Sequence, residues 1–128
     1  MVILDTNIII DHLRSKNDES LLMKLVKESK KEELGISVLT IQELYEGRST
    51  QDEKKEEMMM TTIAPLKIYS YTYEIAKLAG EIARDIDKPI EFVDAGIAAT
   101  AIVTGSKLCS LNKKDFSDIQ DLMLHEID

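Results

Sequence analysis

Short apolar runs alternate with amphipathic segments along this chain, and this alternation limits the folds that it can adopt. The apolar runs have the length of buried strands in a parallel sheet, and they lie at residues 2–4, 34–37, 66–69 and 108–110. The segments between them have the spacing of helices that bury one face. This order predicts an α/β fold, a three-layer α/β/α sandwich around a mainly parallel sheet of four to five strands.

The helices between the strands are predicted from their apolar spacing and end signals. Residues 75–86 carry apolar side chains on one face and stop before Pro89, whereas residues 94–103 are apolar nearly all round and should be central and buried. Asn7 is expected to cap a helix that runs to about residue 14. Further elements are expected as helices near residues 21–26, 40–45 and 52–57, with a break at 15–18 and an edge strand at 122–127.

Four acidic residues stand where these elements meet. Asp5, Glu43 and Asp115 come shortly after strand candidates, and Asp94 opens the central helix. Ligands of such sheets bind beyond the carboxyl ends of the strands, so the first three should share that rim, and Asp94 joins them if its loop reaches it. Carboxylate oxygens suit Mg²⁺ or Mn²⁺ better than zinc. The pattern therefore predicts a divalent-cation site.

Each acid also has a purely structural alternative. Asp5 could cap the first helix, and Thr40 with Glu43 matches a capping box. Asp94 suits a helix N-terminus, where the macrodipole favours an anion, and Asp115 could cap a following turn. These alternatives leave open why several caps would converge on one rim.

Clustered carboxylates would need positive charge. Two of them about 5 Å apart repel by roughly 3 kcal/mol at an effective dielectric constant of about 20. Four together would take up protons or bind cations. Two divalent ions held about 3.5–4 Å apart can bind a phosphodiester, activate water and stabilise the leaving oxygen. The cluster therefore indicates phosphodiester hydrolysis, a reaction that needs no histidine base.

Charge and cysteine content limit the partners. The chain has 16 basic and 24 acidic residues, a net charge of −8, whereas nucleic-acid binders usually carry a basic face. This balance disfavours extended nucleic-acid binding, permits metal-assisted cleavage and favours a basic protein partner. Cys109 is the only cysteine, and we expect a buried thiol in a cytoplasmic protein without signal or membrane span. The length favours one domain over residues 1–128.

Four segments resemble the signature segments of the PIN-domain ribonucleases, and most of all the VapC toxins of toxin–antitoxin pairs. The segments are residues 2–7, 36–44, 94–101 and 110–116, in the order and spacing of that family. The resemblance implies that four acids bind Mg²⁺ or Mn²⁺, namely Asp5, Glu43, Asp94 and Asp115. It further implies three polar neighbours that hold ligands or water, namely Thr6, Ser110 and Asn112.

The same resemblance implies an RNA substrate, a homodimer and a basic VapB-like antitoxin that occludes the site. Arg48 follows a glycine, as is frequent after the second acid of the family, and is a weaker candidate for contacting substrate or partner. Ser110 keeps the hydroxyl where threonine is common. Glu91 either adds a carboxylate or faces solvent. The methionines 58–60 either support a dimer or line the protein's own core.

Other functions agree less well with these residues. A receiver domain needs two adjacent acids after the first strand, and a haloacid-dehalogenase phosphatase needs aspartate where this chain has Asn7. Within the PIN fold, the alternatives are a nuclease of RNA maturation or decay and a protein-binding module with vestigial activity.

Overall fold

The computed structural model of the chain describes residues 1–15, 20–28 and 33–127. Within these residues, four parallel strands form one sheet in the order β3-β2-β1-β4. The strands are β1 (Val2–Leu4), β2 (Leu34–Ser37), β3 (Lys67–Tyr69) and β4 (Lys107–Cys109). The predicted parallel sheet is therefore confirmed, and β1 lies inside it between β2 and β4.

Helices cover both faces of this sheet. They are α1 (Thr6–Arg14), α2 (Leu21–Glu28), α3 (Val38–Glu46), α4 (Glu53–Ile63), α5 (Tyr73–Asp85) and α6 (Phe92–Val103). Because side chains alternate along a strand, Val2 and Leu4 pack in one core with α1, α2 and α4, whereas Ile3 packs in a second core with α6. The predicted three-layer α/β/α arrangement is thus confirmed.

The first helix begins two residues earlier than a cap at Asn7 would place it. Asp5, not Asn7, is its N-cap, and one Asp5 carboxylate oxygen accepts a hydrogen bond of 2.8 Å from the Thr6 N–H. The prediction that Asn7 caps this helix is therefore wrong. The cap brings the Asp5 side chain to the point where β1 ends and α1 begins.

The third helix also begins earlier than expected, at Val38, directly after β2. Ser37 is its N-cap, since the Ser37 Oγ accepts a hydrogen bond of 3.0 Å from the Leu39 N–H. Thr40 and Glu43 therefore lie inside the helix, and the capping box predicted for them is wrong. Their side chains are left free for contacts with another part of the chain.

The last segment contributes less to the sheet than expected. Instead of an edge strand, the described residues show one parallel bridge, between Leu108 and Leu124. The Leu108 N–H donates to the Met123 carbonyl at 2.9 Å, and the His125 N–H donates to the Leu108 carbonyl at 2.8 Å. The sequence predicts a break in the helices at residues 15–18. Ser15 is the C-cap of α1, in agreement with this prediction, and residues 16–18 lie outside the described residues.

The central helix α6 packs closely against its neighbours at Gly96. A Cβ atom there would collide with Leu39 of α3 and would lie 3.1 Å from the Tyr71 ring. Because glycine permits this approach, α6 and α3 come together near the carboxyl ends of the strands. The expectation of a buried central helix is confirmed, since residues 95–101 are all buried.

Two further expectations concern sulfur-containing residues. Cys109 is fully buried, as predicted, and burial raises the pKa of its thiol to about 11. Met59 is buried in the core, whereas Met58 and Met60 are more than half exposed, and the dimer role expected for them stays a prediction. In the described segments, no helix has both the length and the apolar character needed to cross a membrane.

Candidate active site

Asp5 lies where β1 and β4 end side by side. The Asp5 N–H donates to the Cys109 carbonyl at 2.9 Å, which places the residue after β1 beside Ser110, the residue after β4. The Ser110 hydroxyl donates to Asp5 Oδ2 at 2.7 Å, while Oδ1 accepts from the Thr6 N–H. The carboxylate is therefore fixed in orientation by both oxygens. Each oxygen keeps a second lone pair for a cation or another donor.

Glu43 is connected to the same corner through two threonines. The Thr6 hydroxyl donates a short hydrogen bond to Glu43 Oε1, and the Thr6 and Thr40 hydroxyl oxygens are 2.9 Å apart. Since a hydroxyl has one proton, Thr40 must donate to Thr6 and Thr6 to Glu43. Thr40 and Glu43 do not cap α3, and their side chains thus join helix α3 to the start of α1.

Asp94 lies in the first turn of α6 and is partly buried. Its pKa is raised from 3.8 to about 6, firstly by burial and then by the charges of Asp5, Asp115, Glu91 and Glu43. Asp94 therefore lies near the other acids, and it lines one cleft with Asp115 and Glu91.

The other two inner acids also hold their protons more tightly than usual. Burial raises the pKa of Asp5, the hydrogen bonds from Ser110 and Thr6 oppose this effect, and the charge of Asp115 adds to it. Burial likewise raises the pKa of Glu43, where the Thr6 hydrogen bond opposes the effect and nearby carboxylates add to it. A bound positive charge would therefore reduce the repulsion between these carboxylates.

Asp94 and Asp115 open onto a cleft of about 370 Å³. Asp115 ends a 3₁₀ turn, Lys113–Asp115, and is exposed. Glu91 directly precedes α6, is exposed and also lines the cleft, and its charge raises the pKa of Asp94. Glu91 thus faces solvent and also contributes negative charge to the site. The remaining lining residues are Lys88, Pro89 and Ile90.

Ser110 organises the loop after β4. Its oxygen accepts a hydrogen bond of 2.9 Å from the Asn112 N–H, so Asn112 takes part through its main chain. Asn7, which we expected only as a cap, donates from Nδ2 to the Ser110 oxygen at 3.4 Å and accepts from the Leu111 N–H at 3.3 Å. Its position beside Asp5 and Thr6 in the first motif was the available signal for this role.

Thr40 is a second residue whose contribution the sequence did not reveal. It is fully buried, and its hydrogen bond to Thr6 connects positions 34 residues apart. Arg48 lies exposed in the 3₁₀ turn Arg48–Gln51 that follows α3.

Across residues 1–15, 20–28 and 33–127, no three acidic, histidine or cysteine side chains are placed so that they could hold one metal ion together. The donor chemistry nevertheless fits Mg²⁺ or Mn²⁺, since the clustered ligands are all oxygens with raised pKa values.

Comparison with known proteins identifies the family. Residues 2–122 match the family described as PIN domain. This chain belongs to the PIN-domain family. The match runs from β1 past β4 and the 3₁₀ turn Lys113–Asp115, and so includes all four acids of the candidate site.

Individual relatives agree with this assignment. Ribonuclease VapC19 of Mycobacterium tuberculosis is 31% identical over 126 residues, which cover 95% of this chain and 97% of VapC19. VapBC2 from Rickettsia felis, solved bound to a promoter DNA fragment, superimposes with a TM-score of 0.82 at 25% identity and 100% coverage of both chains. VapBC-1 from nontypeable Haemophilus influenzae gives 0.81 at 26% identity and 98% coverage of both. The chain is thus a PIN-domain homologue of a VapC ribonuclease.

Proposed function

We propose that this PIN-domain protein is a Mg²⁺- or Mn²⁺-dependent endoribonuclease of the VapC toxin type, with a site formed by Asp5, Glu43, Asp94 and Asp115. The observation that carries the proposal is the mutual effect of these carboxylates at one rim of the sheet, where each of the first three has a raised pKa. PIN-domain ribonucleases generally use a divalent metal, which is the charge that such a cluster lacks.

The residues have separable tasks in this mechanism. Asp5, Asp94 and Asp115 would hold the cation, with Asp5 oriented by Ser110 and Thr6. The bound ion supplies polarisation of the scissile phosphate and a lowered pKa for the attacking water. Glu43, held by Thr6, would accept the proton that this water loses, because its carboxylate already has a raised proton affinity.

The cleft also limits how RNA is bound. Three of its six lining residues are acidic, so it would repel an extended phosphate backbone without a cation. We expect a short single-stranded or looped stretch of RNA to enter, with one phosphate facing Asp94 and Asp115. Arg48, on the outer surface after α3, is a weaker candidate for contact with RNA beyond the cleft or with a partner.

RNA cleavage by purified protein tests the proposal. Cleavage should require Mg²⁺ or Mn²⁺, stop on chelation and fall by orders of magnitude in the Asp5→Asn variant. Asparagine keeps an acceptor for the Thr6 N–H, so the helix cap and the fold should survive. Asp85→Asn is the matched control, because Asp85 is exposed on α5 and pairs with Arg84 at 2.7 Å. Equal cleavage by Asp5→Asn and the parent protein would refute the assigned site.

We further propose a basic VapB-like antitoxin, a homodimer, a single domain over residues 1–128 and a cytoplasmic location. The superimposed structures are of VapBC proteins, and together with the net charge of −8 they support a basic partner. Exposed Met58 and Met60 offer apolar surface for the dimer.

Co-expression with the neighbouring reading frame tests the partner, and sedimentation at micromolar concentration tests the dimer. Growth arrest that the neighbour relieves is the expected result. RNA cleavage without toxicity would instead indicate a nuclease of RNA maturation or decay. Neither cleavage nor toxicity would indicate a protein-binding module.

A further inference from the structure

Lys88 is the one basic residue among the six that line the cleft, and the roles proposed above do not use it. It lies in the connection 86–91 between α5 and α6, directly before Pro89. Its side chain is 38% exposed, so the ammonium group is only partly in solvent. The contacts of this group decide what it does.

The Lys88 ammonium contacts the segment that carries Asp115 on both sides of that residue. Nζ donates to the Lys114 carbonyl at 2.6 Å, directly before Asp115. It also lies 3.5 Å from Asp118 Oδ2, three residues after Asp115. The Lys114 carbonyl accepts a second, longer hydrogen bond of 3.2 Å from the Ser117 hydroxyl. The 3₁₀ turn is thus tied to the connection that leads into α6.

We propose that Lys88 is a positioning residue that fixes the turn carrying Asp115 against the start of α6, and so sets the spacing between the carboxylates of Asp115 and Asp94. This inference rests on the proposed function, because the two carboxylates are proposed ligands of the cation. Some groups orient metal ligands from outside the coordination shell. Loss of such a group typically weakens metal affinity about 10- to 100-fold.

A purely electrostatic role for Lys88 predicts the opposite sign. A positive charge beside a cation site repels the cation, so its removal would strengthen Mn²⁺ binding. Loss of a positioning contact instead releases Asp115 and weakens Mn²⁺ binding. If Lys88 instead contacts a substrate phosphate, its removal would leave Mn²⁺ affinity unweakened and would raise KM for RNA. Binding and kinetic measurements on one set of variants therefore separate the three roles.

The experiment measures Mn²⁺ affinity by titration calorimetry for the full chain and its variants. Lys88→Met should weaken Mn²⁺ binding about tenfold. Lys88→Arg keeps charge and donors and should restore affinity to within about threefold of the parent. Lys77→Met, on the exposed face of α5, makes the same change in net charge and should leave affinity unchanged. At saturating Mn²⁺, Lys88→Met should lower kcat for RNA cleavage and leave KM unchanged.

A second measurement does not depend on metal. The N–H groups of Asp115 and Phe116 donate to the carbonyls of Asn112 and Lys113 at 3.1 Å. In the metal-free protein, Lys88→Met should accelerate amide exchange at these two positions, whereas Lys77→Met should not. Unchanged thermal unfolding of the variants confirms that the comparison is between folded proteins.

The outcomes distinguish this inference from the proposed function. If the parent protein binds Mn²⁺ and Lys88→Met binds it equally or more tightly, the positioning role is overturned and the metal site stands. A raised KM with unchanged kcat also overturns it, in favour of a substrate contact. If the parent protein binds no Mn²⁺, both proposals fail.

Discussion

Replacing Asp94 with asparagine should stabilise the metal-free protein. Partial burial, and then the charges of Asp5, Asp115, Glu91 and Glu43, raise the pKa of the Asp94 carboxyl group to about 6. Ionised Asp94 therefore opposes folding at neutral pH. Asparagine has nearly the same shape and removes the charge. The same substitution should abolish much of the stabilisation that a divalent cation provides.

The size of this effect follows from proton linkage. A pKa raised from 3.8 to about 6 corresponds to about 3 kcal/mol, since each pH unit is worth about 1.36 kcal/mol. Because Asp94 is only partly buried and solvent screens its charge, we expect about half of this, roughly 1.5 kcal/mol. For a domain of this length, that difference raises Tm by about 5 °C.

The pH dependence fixes the sign of the effect. Folded Asp94 binds its proton more tightly than unfolded Asp94, so the parent protein loses stability as pH rises from 3.8 through about 6. The advantage of Asp94→Asn should be complete above that window. It should disappear below pH 3.8, where the carboxyl group is neutral in both states.

Thermal unfolding with a chelator, followed by circular dichroism from pH 3.5 to 8, is the assay. Asp85→Asn is the control, because the Arg84 hydrogen bond lowers the pKa of exposed Asp85, and its neutralisation should not raise Tm. Added Mn²⁺ should raise Tm of the parent more than that of Asp94→Asn. A less stable Asp94→Asn protein at pH 7.5, or an advantage that persists at pH 3.5, would refute the electrostatic reasoning.

Two further predictions concern packing and the Asp5 carboxylate. Gly96→Ala should lower the free energy of unfolding by about 1–3 kcal/mol, because the added Cβ would collide with Leu39. Gly80→Ala should raise the free energy of unfolding by about 0.5–1 kcal/mol, because no atom lies within 4 Å of the added Cβ. Chemical denaturation of both variants checks this, and equal effects would contradict it. Ser110→Ala removes the donor to Asp5 Oδ2, so the pKa of Asp5 should rise further and Mn²⁺ affinity should fall, with Ser110→Thr as the control. Calorimetry that shows unchanged affinity for Ser110→Ala would count against a role for this hydrogen bond.

The sequence by itself determined the class of fold and the residue types of the candidate site. Residues 2–4 and 108–109 are short apolar runs that favour buried strands, and each precedes a polar residue of the candidate site. Parallel strands bring their carboxyl ends to one rim, so Asp5 and Ser110 meet whatever the details of the loops. These features could be predicted because they depend on local pattern and on a general rule of sheet geometry.

The starts of α1 and α3 depend on which of two nearby residues caps each helix. Asp5 and Asn7, like Ser37 and Thr40, are all residues that cap helices, so propensity alone cannot choose between them. The choice depends on where the preceding strand ends, which its pairing partners determine. Asp5 directly follows Leu4, which pairs with Cys109, and Ser37 is the last paired residue of β2, so Asp5 and Ser37 take the caps. Asn7 and Thr40 are thereby released to bond with the site.

Only the tertiary structure decided which acids interact. Ser110 reaches Asp5 across 105 residues of sequence, and Thr6 reaches Glu43 across 37. Asp94 joins them because the close approach of α6 to Leu39 and Tyr71 at Gly96 places the first turn of α6 over the rim. No local pattern contains these distances, since they arise from the packing of helices against opposite faces of the sheet. The sequence therefore specifies the carboxylates, and packing specifies how strongly they repel one another.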